Sequence, residues 1–194
     1  MALSRFCRNL FPCEVPMPIH SSHEAELLEA LAESNDAGEC LLCAYDALED
    51  MVDALLQNIF QKDDYAVKFV VDPLLTSDGP LGEIMIRAKL LLGLGVLSKE
   101  TYDDIEIFVT LKEWVKVQEG QVDFCDENIL FELNRVQAIK QTMPIEFSSD
   151  LVVGLSDEMK EMFLMRHFQK VRSTIVLAVT SLIQNLGREN ALTS

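Results

Sequence analysis

Apolar residues recur at three- and four-residue intervals along most of the chain, which predicts helices. Two long segments show this period best, one spanning residues 39–60 and one in the last quarter of the chain. The apolar face of the first is formed by Leu41, Ala44, Ala47, Leu48, Met51 and Leu55. The apolar face of the second is formed by Leu164, Phe168, Val171, Ile175, Val179, Leu182 and Leu186. Because no segment alternates as a strand does, we predict an all-α fold of about seven helices, a helical bundle with a long C-terminal helix.

Capping and turn residues set the predicted boundaries of these helices. Ser21 begins the first helix, with Glu24 at capping-box spacing, and Pro80 suits the first position of the fourth. Ser98 and Asp126 are predicted to cap the next two helices, and Gly187 suits the end of the last. The predicted helices span residues 21–34, 39–60, a short segment within 63–71, 81–92, 98–119, 126–142 and 156–186. Residues 1–21 are rich in proline and lack a helical period, so they are predicted to form an extended N-terminal arm. Residues 22–194 are predicted to form a single all-helical domain.

The chain is strongly acidic, with 32 Asp and Glu residues against 16 Lys and Arg residues and a net charge of −16. Such a surface repels nucleic acids and anionic membranes unless its bases gather on one face. Acids dominate residues 22–64, whereas acids and bases balance after residue 150. We therefore expect any anion-tolerant surface in the last helix, where Arg166 and Lys170 lie one turn apart on the exposed side and Arg172 lies on the flank.

The sequence predicts a cytoplasmic protein with reduced thiols and no membrane partner. Its apolar runs are shorter than a membrane span, and no continuous apolar segment follows Arg5 and Arg8 as it would in a signal peptide. Five cysteines without regular spacing are a poor basis for a disulfide framework.

The segment 78–96, DGPLGEIMIRAKLLLGLGV, places glycines beside positive charge, as phosphate-binding loops do. Gly79 and Gly82 fit neither the Walker pattern nor the dinucleotide-binding pattern, and no strand precedes them. Gly93 and Gly95 fall at a predicted helix end, where a left-handed cap favours glycine. The glycines are therefore predicted to start and stop helices. The alternative is a weak anion site at the N–H groups of residues 81–83, with Arg87 one turn further on.

Cysteine and histidine residues suggest metal or redox sites, but neither pattern is complete. The CLLC segment, Cys40 to Cys43, lies on a predicted helix without a second pair at zinc spacing, so core or near-core thiols are predicted. His20 and His23 with Cys13 match no standard ligand set, and solvated histidines at a helix start are the better interpretation.

The second helix carries an acidic stripe on the side opposite its apolar face, formed by Asp46, Glu49, Asp50 and Asp53. A cation site is one interpretation, but the sequence holds no EF-hand loop and no Glu-x-x-His pair. We interpret the stripe as solvated and facing a partner. No nucleophile, base and acid can be assembled either, so no catalytic residue, cofactor or metal is predicted and the chain is not expected to be an enzyme.

The segment KLLLGLGVLSKETYDDIEIFV has the outline of a helix-turn-helix motif. Its second helix, however, carries Glu100, Asp103, Asp104 and Glu106 against Lys99 alone. Recognition helices need basic or amide side chains toward the groove, so a packed helical hairpin is predicted instead.

The run KDDYAVKFVVDPLLTSDGPLGEIMIRAKLLLGLGVL, together with VRSTIVLAVTSLI near the C-terminus, resembles the mannitol operon repressor family of bacterial regulators. The resemblance covers about residues 22–187, and the motifs DDYAVK, PLL and DGPLG carry it in this order. It implies an all-helical cytoplasmic protein that represses genes for mannitol uptake and oxidation. It supplies no recognised DNA-reading motif and no catalytic residues.

Together these observations predict a transcriptional repressor or corepressor of the mannitol operon that acts mainly through protein–protein contacts. Promoter DNA would be reached indirectly, self-association is left open, and one hypothesis makes the partner a phosphotransferase-system carrier protein, because such a protein reports sugar supply. Two alternatives remain. The first is a direct operator binder, whose fold would gather Arg87, Lys89, Arg166, Lys170 and Arg172. The second is a small-molecule sensor of a sugar phosphate, or an unrecognised enzyme, with a pocket between helices. The interaction candidates are Asp46, Glu49, Asp50, Asp53, Arg87, Arg166, Lys170 and Arg172.

Overall fold

A computed structural model of the chain describes residues 20–60, 69, 73–76, 78–118, 120–141 and 144–193. Within these residues the chain forms seven α-helices and one short 3-10 helix, Ser149–Val152, and no strand. The α-helices are α1 (His20–Glu33), α2 (Ala37–Phe60), α3 (Ile84–Gly93), α4 (Lys99–Val117), α5 (Glu127–Leu133), α6 (Gln137–Lys140) and α7 (Asp157–Thr193). The predicted all-α class and long C-terminal helix are confirmed. None of the described helices is long and apolar enough to span a bilayer.

Helix α2 lies at the centre of the bundle and packs against α7, α4, α1 and α3. Its buried residues therefore extend beyond the predicted apolar face and include Cys40, Tyr45, Val52 and Leu56. Helix α4 runs antiparallel to it, since the Lys112 ammonium lies 3.8 Å from the Tyr45 ring centroid, while Gly38 approaches Val115 near the other end of the contact.

Two predicted boundaries in the second half of the chain are wrong. The predicted helix 126–142 is divided into α5 and α6, because the backbone is extended at Val136; beside this break the Asn134 amide pairs with the backbone of Ile145 in both directions at 2.8 Å. The last helix does not end at Gly187 but continues to Thr193. Space around Gly187 is open, and one glycine weakens a helix without stopping it. The predicted arm up to residue 19 and the short helix within 63–71, except Phe69, lie outside the described residues.

Predicted caps at two helix starts are confirmed. The Ser98 hydroxyl accepts a hydrogen bond from the Thr101 N–H at 3.1 Å, and the Asp126 carboxylate accepts one from the Asn128 N–H at 2.8 Å. A third cap comes from a distant helix, because the buried Asp104 carboxylate of α4 accepts the Gln137 N–H at 3.0 Å. This contact fixes the start of α6 against α4.

The glycine-rich segment before α3 is a compact turn. Leu81 donates its N–H to the Leu74 carbonyl at 3.0 Å, and Gly82 donates to the Gly79 carbonyl at 2.9 Å. Two of the three N–H groups considered for an anion are thus already bonded, and helix α3 begins at Ile84 rather than beside Pro80. Gly95, with a φ of +72°, ends the helix in the left-handed region as predicted.

Candidate functional site

Arg87 of α3 is buried, with 3% of its side chain exposed, and it binds two carboxylates of α2. Its Nη2 donates to Glu49 Oε1 at 2.6 Å and to the Gly82 carbonyl at 3.3 Å, while Nη1 pairs with Asp53. We call Arg87, Glu49, Asp53 and the Gly82 carbonyl the Arg87 cluster. Since it is enclosed by these partners, Arg87 is not a surface cation, and we leave it out of the interaction surfaces.

Burial also shapes the protonation of the groups around this cluster. The pKa of Asp53 is raised because it is partly buried, although the Arg87 guanidinium opposes the shift. Burial and the nearby Glu49 carboxylate raise the pKa of the Tyr45 phenol. Tyr45 is therefore neutral at physiological pH. The contacts of Arg87 with Glu49 and Asp53 tether α3 to the central helix α2.

The remaining two acids of the predicted stripe, Asp46 and Asp50, are exposed. Neither carboxylate forms a salt bridge within the described part of the chain. The stripe thus divides into two parts, with Glu49 and Asp53 bound to Arg87 and the pair Asp46 and Asp50 exposed. We call this pair the acidic face.

The three basic candidates of α7 are also placed differently from one another. Arg166 and Lys170 are exposed, as predicted. Arg172 is half-buried: its Nη2 donates to the Ser34 carbonyl at 2.6 Å, and its guanidinium carbon lies 5.3 Å from the Phe124 ring centroid. Arg172 therefore secures the end of α1 against α7.

Three methionines share the exposed side of α7 with Arg166 and Lys170, and sequence reasoning missed them. Met159, Met162 and Met165 are 51%, 49% and 56% exposed. Helical spacing places Met159 and Met162 on the side opposite the buried residues Val171 and Ile175, and Met165 on the flank of that side. Exposed methionine side chains adapt to varied partner surfaces. We call Met159, Met162, Met165, Arg166 and Lys170 the methionine face; its signal in the sequence is apolar residues recurring on the polar side of an amphipathic helix.

The segment with the helix-turn-helix outline folds as a packed pair of helices, α3 and α4. Tyr102, Ile105 and Phe108 bury one side of α4 in the core. On its exposed side, Lys99 pairs with Asp103. The predicted packed hairpin is the arrangement observed, since α3 contacts α4 directly.

The thiols near the predicted CLLC pattern are structural. Cys40 is buried and Cys43 lies at the edge of the core, as predicted, and both are free. Burial raises the pKa of the Cys40 thiol to about 11, and burial beside Asp123 raises that of Cys125 to about 12. At neutral pH the thiols of Cys40 and Cys125 therefore remain protonated, which makes them poor nucleophiles and poor metal ligands.

His167 of α7 is 7% exposed and lies against the loop after α4. Its Nε2 is 3.2 Å from the Phe124 carbonyl, and its ring centroid is 4.8 Å from that of Phe147. Burial, reinforced by Lys170, lowers the pKa of His167, and the Phe124 hydrogen bond and Asp123 oppose this shift. The residue is a packed, neutral histidine that donates to a carbonyl.

Acidification is therefore expected to destabilise the fold through His167. Between the lowered folded pKa and the ordinary value of about 6.5, the unfolded state binds more protons than the folded state, so stability falls as the pH drops through this window. The free energy of unfolding from urea titrations at pH 7.5 and pH 5 should fall more in the wild-type protein than in His167→Gln, which cannot titrate there. Equal losses in the two proteins would contradict this role.

A polar cavity of about 450 Å³ lies between the first half of α4, α6 and the C-terminal half of α7. Its floor includes the buried Asp104, and its rim includes Arg188. None of the predicted interaction residues lines it.

Comparison with known proteins assigns a relationship to most of the chain. Residues 23–187 match the family model described as mannitol repressor. The chain is 36% identical over 171 residues to the mannitol operon repressor of Escherichia coli (strain K12), covering 87% of this chain and 84% of that protein. It is 26% identical over 117 residues to a protein named Fumarase E from the same strain, covering 60% of this chain and 69% of that protein.

A solved structure is similar over nearly the same region. The X-ray structure of the MtlR–HPr complex from Escherichia coli contains a chain that matches with a TM-score of 0.74 and 34% sequence identity. The match covers 85% of this chain and 98% of that chain.

Proposed function

This chain belongs to the mannitol repressor family, and from that premise we propose that it represses genes of mannitol uptake and utilisation through protein–protein contacts. The observation that carries the proposal is the similarity to a relative solved together with HPr. HPr is a carrier protein of the phosphotransferase system, the class of partner that the sequence led us to expect. In this proposal, a carrier protein that reports sugar supply controls a repressor of sugar-alcohol genes.

We propose that the carrier docks on the methionine face of α7. Protein interfaces combine an apolar centre with a charged rim. Met159, Met162 and Met165 supply exposed apolar surface, and Arg166 and Lys170 lie beside them without an ion pair to any other described residue. The acidic face, Asp46 and Asp50, offers charge without comparable apolar area, which makes it the second candidate.

Promoter DNA is proposed to be reached through a partner protein. Of the five bases that a direct operator binder would have to gather, Arg87 is buried and Arg172 is directed toward the end of α1. The exposed remainder, Lys89, Arg166 and Lys170, must compete with a net charge of −16. Affinity for duplex DNA depends mainly on phosphate neutralisation, and three dispersed bases supply little of it.

Calorimetric titration of the full chain with HPr tests the docking surface. Met162→Glu and Arg166→Glu should each raise the dissociation constant for HPr by about tenfold or more, since the first places a charge in the apolar centre of the interface and the second reverses a charge at its rim. The matched control is Phe131→Glu on α5, which changes an exposed apolar residue outside the face and should leave affinity unchanged.

Other outcomes would assign the site or the function elsewhere. Loss of HPr binding in Asp46→Lys, with Met162→Glu unaffected, would move docking to the acidic face. Absence of any HPr binding would remove the carrier from the proposal. The similarity to Fumarase E makes a hydratase the second candidate function, so the same preparation is assayed for fumarate hydration, and we expect none.

A further inference from the structure

Most of the residues that line the cavity between α4, α6 and α7 carry polar side chains, with Ala138 and Leu182 as the apolar members. Helix α4 contributes Glu100 and Asp104, the two ends of α6 contribute Gln137 and Gln141, and α7 contributes Asn185 and Arg188. Its volume of about 450 Å³ accommodates a molecule of sugar size together with ordered water. Among the described residues no aromatic side chain lines it, so they offer no platform for a nucleobase or another flat ring.

Asp104 gives the cavity a fixed acceptor at its floor. The carboxylate is 4% exposed and is held by the Gln137 N–H, which approaches its two oxygens at 3.0 and 3.3 Å. A carboxylate can accept about four hydrogen bonds, and Asp104 is among the residues that line the cavity, so it can accept a further bond from a ligand bound there. Because both helices fix its position, the group is preorganised to receive a hydroxyl.

The rim adds both donors and acceptors. The side chains of Gln141, Asn185 and Arg188 have no hydrogen-bond partner among the residues that the structure describes. Amide groups donate and accept, and the guanidinium donates only. These three side chains lie around one concave space. They suit a ligand whose polar groups, like hydroxyls, can both donate and accept hydrogen bonds.

The charge of the lining discriminates between ligand classes. Glu100 and Asp104 face a single guanidinium, Arg188, and the whole chain carries a net charge of −16. A phosphate or carboxylate ligand would be repelled by both acids and by the surrounding field. Hydroxyl groups, in contrast, donate to the acids and accept from the amides.

We propose that this cavity binds a neutral polyol of about six carbons, held by hydrogen bonds from its hydroxyls to Asp104, Asn185 and Arg188. This site would let a sugar alcohol act on the bundle directly, because it joins α4, α6 and α7. It does not share residues with the methionine face or the acidic face, so it does not depend on HPr binding.

Calorimetric titration of the full chain with millimolar D-mannitol tests the proposal. Asn185→Leu and Arg188→Met should each weaken binding by about tenfold, as expected when hydrogen bonds to a ligand are lost. Gln184→Leu is the matched control, since Gln184 is exposed on the same helix next to Asn185 and does not line the cavity. Its affinity for mannitol should equal that of the wild-type protein.

Mannitol 1-phosphate provides the charge test. The acids of the lining predict that it binds more weakly than mannitol itself. Tighter binding of the phosphate ester, equal loss in all three variants, or no heat of binding with millimolar mannitol would each overturn the proposal.

Discussion

Replacement of Arg87 by Met is expected to lower the free energy of unfolding by about 3 kcal/mol, the lower end of the range for breaking a buried ion pair. The guanidinium is buried and serves two carboxylates and one carbonyl, so its removal leaves Glu49 and Asp53 facing each other without a counter-ion. Each carboxylate side chain is 33% exposed, and water therefore compensates part of the loss. Urea denaturation followed by circular dichroism at pH 7.5 measures the difference.

Lys89→Met is the matched control for this prediction. Lys89 lies on the same helix, two residues away, and is exposed, so its replacement should change stability by no more than about 0.5 kcal/mol. A double-mutant cycle with Asp53→Asn separates the ion pair from packing. If Arg87→Met were as mild as Lys89→Met, the Arg87 cluster would be a surface contact without structural weight.

The helical period anticipated the framework of this fold well. The apolar residues of α2 and α7 identify the two helices that dominate the core, because burial on one side leaves a direct mark on the sequence. The caps at Ser98 and Asp126 were also readable, since each lies next to the helix it caps. These apolar faces and caps depend on residues close together in the sequence, so they can be predicted from a single chain.

Features that depend on distant partners could not be predicted. Arg87 lies 38 residues from Glu49, and nothing in the acidic stripe distinguishes Glu49 from Asp50 before the chain folds. The predicted helix 126–142 is interrupted where Asn134 binds Ile145, eleven residues away. The same limitation applies to Asp104, whose cap on α6 spans 33 residues.

The candidate surfaces show the same contrast. Exposure of Arg166 and Lys170 followed from the helical period, whereas Arg172 required knowledge of where α1 ends. Attention to charge alone concealed the three methionines, which occupy the side of α7 reserved for polar residues in an ordinary amphipathic helix. A search for apolar residues on polar faces would have found them.

Gly79→Ala is the second substitution expected to have a large effect, a loss of about 3 kcal/mol at the upper end of overpacking. A Cβ at this position would lie 2.6 Å from the carbonyl oxygens of both Pro73 and Leu74. These are backbone atoms, so no side-chain rotation relieves the contact and the turn itself must move. Thermal and urea denaturation measure the loss, with Gly93→Ala as the control.

Gly93 has open space around it within α3, so an alanine there should be neutral or slightly stabilising. A wild-type stability for Gly79→Ala would show that the turn before α3 is not fixed. We expect the opposite, because the turn is connected to the Arg87 cluster: Gly82 donates to the Gly79 carbonyl, and the Gly82 carbonyl accepts from Arg87. The combined variant Gly79→Ala with Arg87→Met should therefore lose less stability than the two single losses added, since either change already releases α3 from α2.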